Sequence, residues 1–466
     1  MSGRSLFFGY PVNAQSGQCN PNNFISQKAA GHFLTVAPAG AGKGVSLIIP
    51  NLLCYRGSAV VIDPNGELAW ITAPRRRQLG QTVRILDPWD EVNRRYGSVA
   101  GVTEEIARFN PLSVLKPGSD DFIDNLAYLA DAIIVTQSTK DPFWDDSARE
   151  LWAGLMAYVV ENPEYAPHAS LSLVRKLLMR PNDELERIIT TAPADFAGSV
   201  SALKLGQFKN PEKSASIASV IAVARTQTAF LDSPVLSERM DASDFSFDEL
   251  REGGRQTTVY LVLPPHMLNT YARWLRLMVS IAIGTLLKGP LDDSERKLLA
   301  AKEPNPSLAS GVESEQGKEF VRGPQRAARE RGEGLPVLFL LDEFGTIGKL
   351  SAISTAFGLA AGTGTGITLW AFVQDLNQLK RYYPDEWETF IGNVNALVCF
   401  GIMDQFTVDY VSKMLGTGTD SPDEIRQMNR QKCIVIGHDA PAMCQRVDYF
   451  RDPTFSAWAR PDPRGR

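Results

Sequence analysis

The chain carries one run whose residue types suit phosphate chemistry. From Ala37 it reads Ala-Pro-Ala-Gly-Ala-Gly-Lys, mostly small residues ending on Lys43. Without bulky side chains a backbone can close around a phosphate and aim successive N–H groups at it. The start of a following helix adds partial positive charge, and a lysine there reaches the outer phosphates. The candidate nucleotide contacts are therefore Pro38, Ala39, Gly40, Ala41, Gly42, Lys43, Gly44 and Val45. The run departs from the usual Gly-x-x-x-x-Gly-Lys-Ser/Thr spacing. Ala37 stands at the first glycine, and Gly44 stands where a hydroxyl would bind magnesium. Ser46 is no replacement, because two helical steps turn it about 200° away. By itself the run also reads as an ordinary glycine-rich strand-to-helix turn.

A second run supplies the complementary acids. Val337 to Glu343, VLFLLDE, is a buried-strand pattern that ends in two carboxylates. Charges at the end of such a strand sit at the carboxyl edge of a parallel sheet, beside a phosphate loop. There Asp342 is placed to hold magnesium through water and Glu343 to polarise an attacking water as general base. The alternative is a pair of acidic caps for the following helix. Gln374 ends the strand pattern LWAFVQ (369–374), where an amide that donates and accepts at once could contact the γ-phosphate or orient water. It could equally be a turn residue. Lys43, Asp342, Glu343 and Gln374 are the candidate catalytic set of a magnesium-dependent ATPase, with ATP and Mg2+ as its substrate and cofactor.

These residues need a parallel sheet to bring them together, and the pattern predicts one. Strands are expected at Phe33 to Val36, Ser58 to Asp63, Thr82 to Asp87, Thr257 to Leu263, Val337 to Glu343, Ile367 to Val373, Ala396 to Phe400 and Cys433 to Ile436, with helices between most of them. Asp63 and Asp87 also fall at strand ends on the ligand-facing edge, as ligands or as loop caps. From about residue 111 to 234 strand alternation gives way to apolar spacing of three and four, as at Leu151, Leu155, Tyr158 and Val159. The expected fold is α/β, with residues 1–110 and 235–466 forming the nucleotide-binding domain and 111–234 an inserted all-α domain. Residues 1–30 read as a polar lead-in with at most one short strand. Residues 289–335 are too polar to order themselves and read as a flexible insertion. A single helix is expected from Ile347 to Leu359, and a glycine-rich turn at 361–366.

Composition narrows the class. The chain has 466 residues, 44% hydrophobic and 22% charged, as in a soluble globular protein. A net charge of −5 argues against a broadly basic nucleic-acid coat and still permits a basic groove. Five scattered cysteines without a CxxC suit a reducing compartment, and four isolated histidines do not suggest a zinc site. The apolar run Trp274 to Leu287 contains Arg276 and is too short to span a bilayer. A cytoplasmic location is expected.

Several stretches together resemble the type IV secretion coupling proteins of the TraG/VirD type, the conjugative DNA-transfer ATPases. They are the Gly-Lys-Gly loop with VSLIIPNLL (45–53), VVIDPNGELAW (60–70), FNPL (109–112), the run from Asp244 to Val262, LFLLDEFGTIGKL (338–350), LWAFVQDLNQLKRYY (369–383), WETFIGN (387–393) and DYVSKMLG (409–416). The resemblance spans roughly residues 30 to 455. It implies a RecA-like motor domain, a homo-hexamer and ATP-driven delivery of a relaxase-bound nucleoprotein or an effector protein to a type IV secretion channel. Single-stranded DNA is an implied partner. It also implies a peripheral place at the inner membrane through channel components, since members usually begin with transmembrane helices and no such run is found here. Glycine is common at position 44 in the family. Asn65 stands where relatives often carry lysine, and 361–366 has no arginine for an inter-subunit finger, which leaves Arg225 and Arg381 as candidates. Competing readings are an ATP-binding substrate receptor with little motor activity, and an FtsK-like or HerA-like DNA translocase.

Overall fold

The computed structural model describes residues 4–13, 16, 18–20, 23–97, 105–136, 141–209, 214–251, 256–289, 335–358, 366–416, 421–437 and 440–464. The expected insertion and most of the glycine-rich turn lie outside them.

Among the described residues eleven strands form one sheet: β1 (Ser5–Pro11), β2 (Ile25–Lys28), β3 (His32–Val36), β4 (Ala59–Asp63), β5 (Thr82–Leu86), β6 (Thr257–Val262), β7 (Val337–Leu341), β8 (Ile367–Val373), β9 (Val394–Cys399), β10 (Lys432–Gly437) and β11 (Ala442–Gln445). Their order is β2-β1-β11-β10-β9-β3-β8-β7-β4-β6-β5. From β9 to β5 neighbours are parallel, and from β9 outward to β2 they are antiparallel. The central strands are buried throughout and largely apolar because the sheet is covered on both faces. Leu34, Val36, Phe339, Leu341 and Leu369 point into one hydrophobic cluster, while Phe33, Leu338, Leu340, Trp370 and Phe372 point into another.

The first cluster continues without a break into the helices between β5 and β6. These include Phe122–Ile133, Phe143–Glu161, Leu171–Leu178, Asn182–Asp195, Val200–Gly206, Ser214–Gln227 and Pro234–Met240. Helix Phe143–Glu161 buries Leu151, Trp152, Leu155, Met156 and Val159, the three- and four-residue spacing that marks its inner face. Serines at 170, 199 and 233 start three of these helices by accepting the backbone N–H of Leu173, Ala202 and Leu236. The long helix Leu268–Leu287 runs between this helical layer and the sheet. No described helix is long and apolar enough to cross a membrane.

Two expectations change. The N-terminal lead-in supplies two strands, since Leu6, Phe7 and Phe8 are fully buried and β1 pairs with both β2 and β11. The helix expected from Ile347 is two helices, Phe344–Ile347 and Ser351–Gly358. Gly348 separates them with φ 66°, a left-handed conformation that glycine adopts freely.

Candidate nucleotide site

β8 lies between β3 and β7, and the register decides what meets. Val36 stands opposite Val373, and Leu341 opposite Ala371. All three strands run the same way, so the loop after β3, Gln374 after β8 and Asp342–Glu343 after β7 emerge on one edge. The Ala37 N–H extends the ladder to the Val373 carbonyl at 2.9 Å.

The loop turns through Gly40 (φ 72°) and Gly42 (φ 91°). The φ at Gly42 demands glycine, and a β-carbon there would stand 2.7 Å from Arg446 Nη2, which would have to shift. Lys43 folds back and donates from Nζ to the carbonyls of Ala37 (3.1 Å) and Pro38 (3.4 Å). It opens a wide first turn, Gly44–Ile48, that leads into helix Ile49–Cys54. Ser46 turns away from the loop mouth, as its spacing predicts. Its Oγ donates to the Gly42 carbonyl at 2.9 Å and accepts from Arg446. Around Gly44 there is open space, with nothing within 4 Å of a β-carbon placed there.

Asp342 keeps Oδ1 buried without a hydrogen-bond partner. Burial pushes its carboxyl up to about 6, the Lys43 ammonium pulls it down, and Glu343 raises it again. The two long-range motifs therefore feel each other's charge. Glu343 has φ 62° and ψ 38°, a left-handed conformation on a residue with a β-carbon, which stores strain where the chain leaves β7. The exposed tip of β8 is tied to this segment by Gln378. Its Oε1 accepts the Gln374 N–H at 3.0 Å, and its Nε2 lies where a β-carbon on Gly345 would stand, 2.0 Å away.

On the other side of β3, the loop borders a cleft of about 1210 Å3. Pro38, Ala39, Gly40, Ala41, Gly42 and Val45 form one wall; Met403, Met428, Phe450 and Asp452 contribute to the other. Arg446 joins the two. It donates to the Ala41 and Arg430 carbonyls (2.6 Å each) and to Ser46 Oγ (2.9 Å), with its guanidinium 3.8 Å from the Phe400 ring centroid. Asp342, Glu343 and Gln374 are not part of this cleft; they meet the loop from the β8 side.

Residue types alone did not single out Gln378 or Arg446. The i, i+4 spacing of Gln374 and Gln378 on a strand-to-helix turn was the available signal for the first. Arg446 sits alone after β11, 400 residues from the Ser46 it binds, and had none. The other strand-end acids are helix caps. Asp63 accepts the Ala69 N–H at 2.8 Å, and Asp87 accepts those of Glu91 and Val92 at 2.9 Å each. Burial raises Asp63 to about 7 and Asp87 to about 6. Arg225 is held inside the helical layer by the Leu178 and Arg180 carbonyls; Arg381 is exposed.

Residues 10–299 match the family described as type IV secretory system conjugative DNA transfer, and 336–439 match the TraM recognition site of TraD and TraG. Conjugal transfer protein TraG of Escherichia coli is 25% identical over 431 residues, which is 89% of this chain and 60% of that protein. Protein VirD4 of Rhizobium radiobacter is 23% identical over 472 residues, 94% of this chain and 60% of that protein. The chain thus spans about 60% of the length of these relatives. Among solved structures, plasmid coupling protein TrwB in complex with the non-hydrolysable GTP analogue GDPNP aligns over 97% of both chains with a TM-score of 0.62 at 16% identity. TrwB in complex with ADP and Mg2+ aligns over the same 97% of both chains, with the same TM-score and identity. These likenesses show the fold, RecA-like α/β with a mostly parallel sheet and a layer of helices between β5 and β6. The chain belongs to the type IV secretory system conjugative DNA-transfer family.

Proposed function

We propose that this chain is a magnesium-dependent ATPase, the nucleotide-driven part of a coupling protein that recruits a nucleoprotein or effector substrate and helps pass it to a type IV secretion channel. The observation that carries the reading is the convergence of a glycine-turned loop, Lys43 and a buried, unpartnered Asp342 oxygen on one sheet edge. A buried carboxylate oxygen without a partner is costly unless a cation takes it up. Asp342 fits magnesium for that reason, and the open space at Gly44 leaves room for water there.

The roles follow from placement. Base and ribose of ATP occupy the cleft beside β9–β11, and the phosphates lie across the loop toward β8 and β7. N–H groups of residues 39–44 hold them, and Lys43 exchanges its two loop carbonyls for the outer phosphates. Magnesium, held from Asp342 through water, would neutralise phosphate charge there. Glu343 orients and deprotonates the attacking water, and Gln374 contacts the γ-phosphate from the central strand. Catalysis is then mostly positioning and charge stabilisation. We place the nucleotide-binding domain at 1–110 and 235–466, and a substrate-facing all-α domain at 111–234. The resemblance to TraD and TraG over 336–439 supports a nucleoprotein partner. Single-stranded DNA passage, a homo-hexamer and attachment at the inner membrane through channel components complete the reading.

ATPase rates with and without single-stranded DNA test it. Magnesium-dependent hydrolysis is expected for the wild type, falling at least 100-fold in Lys43→Ala and in Glu343→Gln, in line with the loss of one stabilising group. If all three proteins are equally inactive across oligomeric conditions, the ATPase reading is wrong for this chain.

A further inference from the structure

Arg276 sits within the apolar helix Leu268–Leu287 and is 5% exposed. Its hydrogen bonds run to main-chain carbonyls from two separate places. Nε donates to Ala132 at 2.9 Å and Nη2 to Asp131 at 3.2 Å. Nη1 donates to Ile347 at 2.7 Å and Lys349 at 2.5 Å. The first two carbonyls end helix Phe122–Ile133 of the all-α layer. The other two end and follow the short helix Phe344–Ile347, which starts at Glu343. Helix C-termini present unpaired carbonyls and partial negative charge, so one cation caps two helix ends at once. Arg273, three residues earlier and so on the same helix face, adds a bond to the Ile133 carbonyl at 3.0 Å. Burial lowers the pKa of Arg276 to about 10, and the charge of Asp131 offsets that burial in part.

Resting on the ATPase reading above, we propose that Arg276 is a positioning residue that couples the acidic segment 342–349 to helix Phe122–Ile133 of the all-α layer. Glu343 is the strained point of the acidic segment. Its left-handed conformation is strained, and the four-residue helix that follows carries any change there to the Ile347 carbonyl. A guanidinium is a rigid fork. It cannot follow that carbonyl and keep its grip on Asp131 and Ala132 unless helix Phe122–Ile133 follows too. The bonds to Ala132 and Ile347 are buried, so the two helix ends are joined through one side chain where a lost bond is costly. Nucleotide state at Glu343 thereby becomes helix position in the all-α layer, and the coupling must run both ways.

Amide hydrogen exchange on the full chain tests this, with and without the slowly hydrolysed analogue ATPγS and magnesium. In the wild type, nucleotide is expected to slow exchange at least fivefold in 38–48, in 343–350 and in 122–135. Arg276→Lys keeps the charge without the fork; it should retain protection in 38–48 and lose it in 122–135. Its kcat should fall about tenfold with KM within twofold. If 38–48 responds in the wild type and 122–135 does not, the coupling is overturned while nucleotide binding stands. If 38–48 itself does not respond, the ATPase reading fails and the coupling with it. Full response of 122–135 in Arg276→Lys also overturns the proposal. The wild-type measurement decides even if the variant fails to fold.

Discussion

At Asp342 a carboxylate is held against its own ionisation. Burial raises its pKa from 3.8 to about 6, so between those values the folded state binds more protons than the unfolded chain. Stability therefore falls as pH rises through that window and is lowest, for this group, above about 6. The shift corresponds to on the order of 3 kcal/mol. Asp342→Asn removes the charge and keeps the shape, so it should melt several degrees above the wild type at pH 8 without magnesium, with the gap closing toward pH 4. Added magnesium and nucleotide should then stabilise the wild type more than the variant. A gap of constant size across pH would show that burial of Asp342 is not the cause. The carboxylate is thus placed where it costs stability, as binding groups often are.

At the scale of elements, the site depends on strands and ties far apart in the chain. β8 is inserted between β3 and β7, which puts Gln374 between the loop and the acids. Gln378 holds that tip to the acidic segment, and Arg446 holds the loop to the strand after β10. Replacing Arg446 by Met removes bonds to Ala41, Ser46 and Arg430, each worth about 1 kcal/mol. Titration with a fluorescent ATP analogue should give roughly tenfold weaker binding, with the Glu343-dependent step little changed; an unaltered Kd would show that the loop holds its shape alone. The apolar runs of β3, β7 and β8 were legible because each is buried on both faces. β11 was not, since it is only four residues long, and β1 finds its partners in β2 and in β11, far away at the other end of the chain.

Across the whole molecule, one hydrophobic cluster spans a sheet face, helix Leu268–Leu287 and the helical layer. A shared core predicts shared melting. Calorimetry should show the helical layer and the sheet unfolding in a single transition. Magnesium-ATP at about 100 times its Kd should stabilise that transition by about 2.7 kcal/mol, and Lys43→Ala should abolish the gain. Two separate transitions, only one of them shifted by nucleotide, would mean that the layers fold independently.

By itself the sequence determined the chemistry on offer. A lysine after a glycine turn and two acids after an apolar run are local patterns, and local patterns survive without a fold. It also determined the split between strand-rich and helix-rich regions, because periodicity is a local property too. The roles of Arg276, Gln378 and Arg446 were decided by tertiary structure alone. Each acts on backbone carbonyls, N–H groups or glycine surfaces, which carry no side-chain signature in a sequence. Their partners are set by strand order and register: β8 beside β3, β11 beside β10, and a helix end brought under the acidic strand.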